Sequence, residues 1–142
     1  MKRTASAKWQ GDLKSGKGTV STESGVLSQT QYSFGTRFEN GKGTNPEELI
    51  AAAHAGCFTM ALSAQLGDAG LVAEKLETTA TVTFDKLEAG WTVTQIHLEV
   101  RGIIPKADAA AWEKATNAAK TGCPISRLLN TTITMDAKLG GS

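Results

Sequence analysis

The sequence has few cysteines, almost no charge imbalance and no long apolar run, and each shortage excludes a class of protein. Fifteen Lys and Arg side chains against 14 Asp and Glu give a net charge of +1, which leaves no electrostatic footprint for nucleic acid or for an anionic membrane. No apolar run approaches the roughly 18 residues of a membrane span. Residues 1–9 are basic but lack the apolar centre of a signal peptide. We therefore expect a cytoplasmic protein without a nucleic-acid or membrane partner.

The composition that remains is typical of a globular protein. Of the 142 residues, 40% are hydrophobic and 20% are charged. A chain of this length fits one domain, here residues 1–142, or one protomer of a small oligomer. A domain near this size buries roughly two-thirds of its unfolded surface, so it can fold without disulfide or metal staples. The two cysteines, Cys57 and Cys123, are therefore candidates for function.

Short strands are predicted before the first helix. Apolar residues alternate over residues 5–9, and a second short strand begins at Gly16 and Gly18 and runs through Val20. We interpret the two glycines as turn residues rather than a phosphate loop. Over residues 32–38 the aromatic side chains share one parity, which predicts a strand with Arg37 on the opposite side.

A long helix follows, with clear signals at its start. Asn45 suits the N-cap, Pro46 the first helical position, and Glu47 and Glu48 the positive end of the helix dipole. The helix is apolar or small on nearly every face until Gly67 or Gly70, which predicts a central buried helix. Its many alanines would let another backbone approach closely.

The second half of the chain predicts a hairpin, a helix and a last strand. Residues 76–84 and 91–103 alternate as two strands, with a change of parity that indicates a bulge near Thr94. A helix over residues 108–120 and a strand over residues 133–139 follow. The order predicts an α+β fold with a largely antiparallel sheet around a long buried helix.

The two cysteines allow two readings. Cys57 lies inside the long helix, and Cys123 precedes Pro124 at the start of a short one, 66 residues later. They could be a redox pair in which one thiol attacks a peroxide and the other resolves the sulfenic acid as a disulfide. They could also be ordinary buried cysteines, which spacing alone slightly favours. Both alternatives stay open at this point.

A reactive Cys57 would need a cation nearby, since apolar burial raises a thiol pKa and the residue lies too deep in its helix to use the dipole. Arg37 is the candidate cation, with Glu47 as the carboxylate that holds it. The alternatives are an exposed strand charge for Arg37 and helix-dipole compensation for Glu47. Cys123 differs, because an N-cap position would itself favour its thiolate.

Helix geometry limits how these residues can meet. Glu47 and Cys57 are ten residues apart on one helix, or about 15 Å along its axis. If they share a site, the glutamate must come from a second copy of this helix lying antiparallel across the first. The catalytic hypothesis and a homodimer are therefore one hypothesis.

Weaker signals point to other chemistry. Two cysteines with His54 and His97 amount to a zinc ligand set, and His54 lies three residues before Cys57. No CxxC or HxxxH spacing supports this. His54 could also act as a general base for Cys57, although a packed helix residue is the simpler interpretation.

Three segments resemble a known family. They are GKGTVSTESGVL at residues 16–27, TNPEELIAAAHAGCF at residues 44–58 and GCPIS at residues 122–126. The chain resembles, over essentially its whole length, the family of osmotically inducible protein C and the organic hydroperoxide resistance proteins.

The resemblance implies an intertwined homodimer with shared active sites, and a thiol-dependent peroxidase for oxidative and osmotic stress defence. The substrates would be organic hydroperoxides, and more weakly hydrogen peroxide, reduced to alcohols. Cys57 matches the peroxidatic position and Cys123 the resolving one, joined by an intramolecular disulfide. Arg37 and Glu47 match the pair that engages the thiolate. No cofactor or metal is implied, and the reductant would be an external dithiol, for example a lipoylated protein.

A rival class remains open from the residues themselves. The chain could be a non-enzymatic binder of a small molecule or stress signal whose cysteines are a structural pair. Thiol titration with an organic hydroperoxide separates the two classes, because only the enzyme loses both thiols to an equimolar amount of peroxide.

Overall fold

The computed structural model describes residues 1–140, which fall into two compact units. The first unit is Met1–Leu49, and the second begins at Ile50. Each unit has its own three-stranded sheet.

The first unit is built on three antiparallel strands in the order β1-β2-β3. They are β1 (Ala5–Gln10), β2 (Lys17–Thr22) and β3 (Thr30–Tyr32). The two short strands predicted at the start of the chain are therefore present. Gly18 is required by packing, because an added Cβ would lie 2.6 Å from ring atoms of both Trp9 and Tyr32.

The strand predicted over residues 32–38 is wrong beyond Tyr32. Phe34–Phe38 forms a short helix, α1, with Arg37 in its last turn. Ser33 and Thr36 form a capping box in which the Ser33 Oγ accepts from the Thr36 N–H and the Ser33 N–H donates to Thr36 Oγ1. The rings of Phe34 and Phe38 lie one turn apart with centroids 4.9 Å from each other. Local capping and this ring contact outweigh the alternating pattern.

The long helix α2 spans Pro46–Asp68 and begins as predicted. The Asn45 side-chain oxygen accepts a hydrogen bond of 2.7 Å from the backbone N–H of Glu48, which satisfies one of the unpaired donors at the helix start.

The second sheet has the order β4-β5-β6. Strands β4 (Lys75–Leu87) and β5 (Gly90–Ile103) form the predicted antiparallel hairpin, and the register skips Thr94, which confirms the bulge. Strand β6 (Thr132–Leu139) pairs with β5 in parallel, so this pairing departs from the antiparallel expectation. The parallel direction is possible because two helices cross over between β5 and β6.

Those two helices are α3 (Ala109–Gly122) and α4 (Pro124–Leu128). Asp108 caps α3 by accepting a 2.8 Å hydrogen bond from the Ala111 N–H. The core of the second unit consists of buried side chains from α2, β5 and α3, chiefly Phe58, Leu62, Leu66, Ile96, Leu98, Val100, Trp112, Ala115 and Ala119.

Helix α2 buries only one face in a single chain. Its buried residues are His54, Phe58, Leu62 and Leu66, at the spacing of one helical stripe. The other side exposes Ala52, Ala53, Gly56 and Met60, and Met60 is 77% exposed. The sequence predicts burial on nearly every face of α2. In a single chain that prediction holds for one face only, and the opposite apolar face is exposed to solvent.

By length and composition, α2 also meets the criteria for crossing a membrane. An 18-residue window reaches a mean hydropathy of 1.4, with 22% of it buried. The expectation that no apolar run is long enough for a span is therefore wrong for this helix, because His54, Thr59 and Ser63 interrupt the run without lowering its mean hydropathy below that of a span. One such helix is weak support for a membrane span, since core helices have the same composition.

Candidate active site

The structure brings the two cysteines together. The Sγ atoms of Cys57 and Cys123 lie 2.9 Å apart although the residues are 66 positions apart in the chain. Cys57 comes from the middle of α2 and is half-buried, whereas Cys123 is fully buried at the junction of α3 and α4. Both are free thiols. A disulfide needs the two sulfur atoms at about 2.05 Å, so only a small further approach is required.

The two thiols ionise unequally in this environment. Burial raises the pKa of the Cys57 thiol above its ordinary value, and the hydrogen bond with Cys123 raises it further. Burial also opposes ionisation of Cys123, yet hydrogen bonds with Cys57 and with the backbone and hydroxyl of Ser126 hold the Cys123 pKa below its ordinary value. The surroundings thus disfavour the thiolate of Cys57 and favour that of Cys123, each relative to its ordinary pKa.

The position of Cys123 explains part of this difference. Cys123 is the N-cap of α4, as the sequence predicts, with Pro124 at the first helical position. The Cys123 side chain makes no N-cap hydrogen bond, yet the backbone N–H groups of Ile125 and Ser126 in the first turn help to lower the pKa of Cys123. Only the Ile125 backbone has this effect on Cys57, where burial outweighs it, so activation of Cys57 requires a cation from elsewhere.

His54 does not hydrogen-bond to Cys57. Its Nε2 lies 2.7 Å from the Ser126 Oγ, and within the described chain its Nδ1 has no hydrogen-bond partner. Both side chains are buried, and burial lowers the pKa of His54, which keeps the ring neutral. The general-base interpretation of His54 is therefore wrong in its geometry. Ser126 was missed, although its place three residues after an N-cap cysteine was a usable signal.

Arg37 and Glu47 form the predicted ion pair within the first unit. The Glu47 Oε1 accepts from Arg37 Nη2 at 2.8 Å and from Arg37 Nε at 3.0 Å. The Arg37 side chain is 39% exposed and that of Glu47 12% exposed. The carboxylate thus fixes the orientation of the planar guanidinium and leaves part of it accessible.

A cavity of about 260 Å³ lies beside this guanidinium. It is lined by Arg37 together with apolar and aromatic side chains, namely Trp9, Leu13, Tyr32, Phe34 and Phe38. The cavity combines an apolar wall with one fixed cation, an arrangement suited to a small ligand with an organic body and a polar end.

The zinc alternative finds no support in the arrangement of the histidines. Across residues 1–140 no three His, Cys, Asp or Glu side chains are grouped so that they could hold a metal ion. His97 bonds instead to Thr134 Oγ1 at 2.6 Å and to Asp136 Oδ2 at 3.2 Å.

Comparison with known proteins relates most of the chain to one family. Residues 39–138 match the family described as OsmC-like protein. The chain is 54% identical over 133 residues to Peroxiredoxin OsmC of Escherichia coli strain K12, covering 94% of this chain and 93% of the relative. Peroxiredoxin OsmC of Shigella flexneri matches with the same values. The family match includes Glu47, Cys57 and Cys123 and begins two residues after Arg37.

Solved structures with the same fold agree with this relationship. The organic hydroperoxide resistance protein OhrB of Bacillus subtilis is 25% identical, with a TM-score of 0.73 over 95% of this chain and 98% of that one. An organic hydroperoxide resistance protein of Elizabethkingia anophelis is 25% identical, with a TM-score of 0.74 over 96% of each chain. The expected fold class is thus confirmed.

Proposed function

The chain belongs to the OsmC-like protein family as a peroxidase with a role in redox stress defence, and from that premise we propose that it reduces organic hydroperoxides to alcohols through Cys57 and Cys123. The observation that carries the proposal is the 2.9 Å separation of the two sulfur atoms. Two thiols at that distance can pass from sulfenic acid to disulfide without a large rearrangement.

The reaction runs in three steps. The Cys57 thiolate attacks the terminal oxygen of the hydroperoxide, so that an S–O bond forms, the O–O bond breaks and the alkoxide leaves as alcohol after taking a proton. The Cys123 thiolate then attacks the Cys57 sulfenic acid, forming the disulfide and releasing hydroxide, which takes a proton and leaves as water. An external dithiol, for which a lipoylated protein is one candidate, reduces the disulfide and restores both thiols. A reducing cytoplasm suits this cycle.

The first step needs a cation beside Cys57. We assign this role to Arg37, held by Glu47, because a fixed guanidinium favours the thiolate and stabilises charge on the departing alkoxide. Since α2 rises about 15 Å between Glu47 and Cys57, we place the Arg37–Glu47 pair of one copy at the Cys57 of a second copy.

The open face of α2 is the surface on which we place that second copy. Ala52, Ala53 and Gly56 are exposed, and a Cβ added at Gly56 would meet nothing within 4 Å. Small residues of this kind let two helices pack at short distance, and the exposed Met60 would be covered.

A charge on this face is expected to break the dimer. The change Ala53→Glu would bury an unpaired carboxylate between two helices. The control is Ala110→Glu, the same substitution on the exposed side of α3, away from the open face of α2. Light scattering should give the mass of a dimer for the wild type and for Ala110→Glu, and that of a monomer for Ala53→Glu. A monomeric wild type, or a wild type that sediments with lipid vesicles, would contradict the proposal.

The cavity beside Arg37 supports the preference for organic hydroperoxides. Shortening Leu13, which is 64% exposed and lines the cavity, should lower kcat/KM for cumene hydroperoxide about fivefold in Leu13→Ala and leave hydrogen peroxide unaffected. The control is Val26→Ala, an 83% exposed apolar side chain outside the cavity. Equal losses for both substrates would remove the cavity from substrate selection.

Thiol titration tests the function itself. The reduced wild type should lose both thiols to an equimolar amount of cumene hydroperoxide, and peptide mass spectrometry should find Cys57 joined to Cys123. Two thiols that persist in excess hydroperoxide would instead identify a non-enzymatic binder.

A further inference from the structure

The buried contact between His54 and Ser126 has no role in the steps described so far. His54 lies on α2 and Ser126 on α4, 72 residues apart, and their 2.7 Å hydrogen bond is closed off from solvent. A buried polar pair costs desolvation of both groups, and the remaining ring nitrogen of His54 is buried without a hydrogen-bond partner among the described residues. An apolar pair would fill the same space without that cost.

Ser126 connects this pair to the thiols. It occupies the third position of α4, and Cys123 is the N-cap of the same helix. The Cys123 side chain makes no N-cap hydrogen bond with α4, but Ser126 lies three residues after it in the first turn of that helix. The Cys123 sulfur in turn lies 2.9 Å from that of Cys57.

We propose that His54 and Ser126 are positioning residues for the resolving thiol: His54 Nε2–H donates to the Ser126 oxygen and thereby turns the Ser126 hydroxyl hydrogen toward the Cys123 sulfur. The proposal rests on the peroxidase cycle described above, in which Cys123 attacks the Cys57 sulfenic acid.

The hydrogen count at this contact selects one tautomer. Ser126 has a single hydroxyl hydrogen, which can go to His54 or to Cys123 but not to both. Burial lowers the pKa of His54, so the ring carries one hydrogen, and only a hydrogen on Nε2 leaves the Ser126 hydrogen for the thiolate. Hydrogen bonding from Ser126 is also among the causes that hold the pKa of Cys123 below its ordinary value.

The effect on the reaction lies in the resolving step alone. The Cys123 thiolate forms the S–S bond, the S–O bond of the sulfenic acid breaks, and the hydroxide leaves as water. A thiol whose pKa is brought down toward the ambient pH attacks faster, because the gain in thiolate exceeds the loss of intrinsic nucleophilicity. The His54–Ser126 pair would thus speed disulfide formation and leave peroxide attack by Cys57 unchanged.

The thiolate of Cys123 can be titrated by its ultraviolet absorbance in a Cys57→Ser background, where coupling between the two thiols is removed. We expect Ser126→Ala and His54→Leu each to raise the pKa of Cys123 by about one unit, a tenfold loss of thiolate at neutral pH. His54→Gln, whose amide places an N–H donor near the position of Nε2, should retain most of the wild-type value. In the Ser126→Ala background, His54→Leu should add no further shift. A purely structural role would lower thermal stability and leave the titration unchanged.

Two further measurements keep the outcome decisive if His54→Leu fails to fold. Nitrogen NMR of the His54 ring should find the hydrogen on Nε2, and a ring protonated only at Nδ1 would overturn the proposal. With both cysteines present, Ser126→Ala should slow disulfide formation about tenfold after a pulse of peroxide, at an unchanged rate of sulfenic acid formation. Unchanged disulfide formation in a wild-type-like peroxidase would refute the positioning role, whereas absence of sulfenic acid in the wild type would refute the peroxidase cycle.

Discussion

Replacing Cys57 by serine is expected to abolish catalytic peroxide turnover, with a loss of at least about three orders of magnitude. A thiolate is an efficient nucleophile toward peroxide, whereas a serine hydroxyl stays protonated at neutral pH unless a base removes its hydrogen. His54, the base that the sequence suggests, bonds through Nε2 to Ser126, and no hydrogen bond joins it to Cys57 among the described residues. The measurement is hydroperoxide consumption under excess dithiol, with thermal unfolding to show that the variant is folded.

The matched variant is Cys123→Ser, which should behave differently. Cys57 would still attack one molecule of hydroperoxide and stop as a sulfenic acid, which a dimedone-type probe can trap and mass spectrometry can locate. Turnover should then be lost, because no second sulfur lies 2.9 Å away to form the disulfide. Normal turnover of Cys123→Ser with the same reductant would remove the resolving role from Cys123, and turnover of Cys57→Ser would remove the nucleophile from Cys57.

The elements that sequence reasoning predicted well are those with local signals. Helix α2 starts where Asn45 and Pro46 indicate, since the capping oxygen and the N–H that it accepts are three residues apart. The β4–β5 hairpin and its bulge could also be predicted, because a change of parity within one strand is visible in the sequence.

The segment around Arg37 shows how two periods can compete. Aromatic residues at positions 34 and 38 fit both an alternating strand and one helical turn. Ser33 and Thr36 stabilise the helix because the side chain of each accepts a hydrogen bond from the backbone N–H of the other. This capping signal is present in the sequence, but the longer alternating pattern led to the prediction of a strand.

Contacts between distant positions could not be predicted from spacing. Nothing in the sequence places β6 parallel to β5, or Ser126 beside His54, because such pairs depend on how α3 and α4 cross over. The proximity of Cys57 and Cys123 was expected only from the family resemblance, since the residues alone left the choice between a redox pair and two buried cysteines open.

The thiol pair by itself leaves the first chemical step unexplained. Burial and the contact with Cys123 raise the pKa of Cys57, which disfavours the thiolate that the first step needs. A cation beside Cys57 would oppose this effect, because each unit by which it lowers the pKa corresponds to about 1.4 kcal/mol in favour of the thiolate. The identity and origin of that cation are therefore the next question for experiment.

Removing the guanidinium is expected to slow peroxide attack strongly. Arg37→Ala should lower the rate constant of Cys57 oxidation about a hundredfold, because both the thiolate and the departing alkoxide lose their stabilising charge. Arg37→Lys keeps the charge but lacks the planar guanidinium that Glu47 holds. Its rate constant should therefore lie between those of the wild type and Arg37→Ala. Stopped-flow measurement of Cys57 oxidation gives the constant, and Arg101→Ala on β5 serves as the control for loss of an exposed arginine.

Pairing two defective chains tests where this arginine comes from. One chain carries Arg37→Ala and the other Cys57→Ser, and differently tagged copies are co-expressed so that the mixed dimer can be isolated. If Arg37 of one copy serves Cys57 of the other, the mixed dimer has one complete site out of two and should recover about half of the wild-type rate, although both parent dimers are nearly inactive. If each Cys57 used the arginine of its own chain, the mixed dimer would contain no complete site and would stay inactive. Recovery would join the Arg37–Glu47 pair, the open face of α2 and the thiol pair into one shared site, whereas an inactive mixed dimer would disprove the assignment across copies.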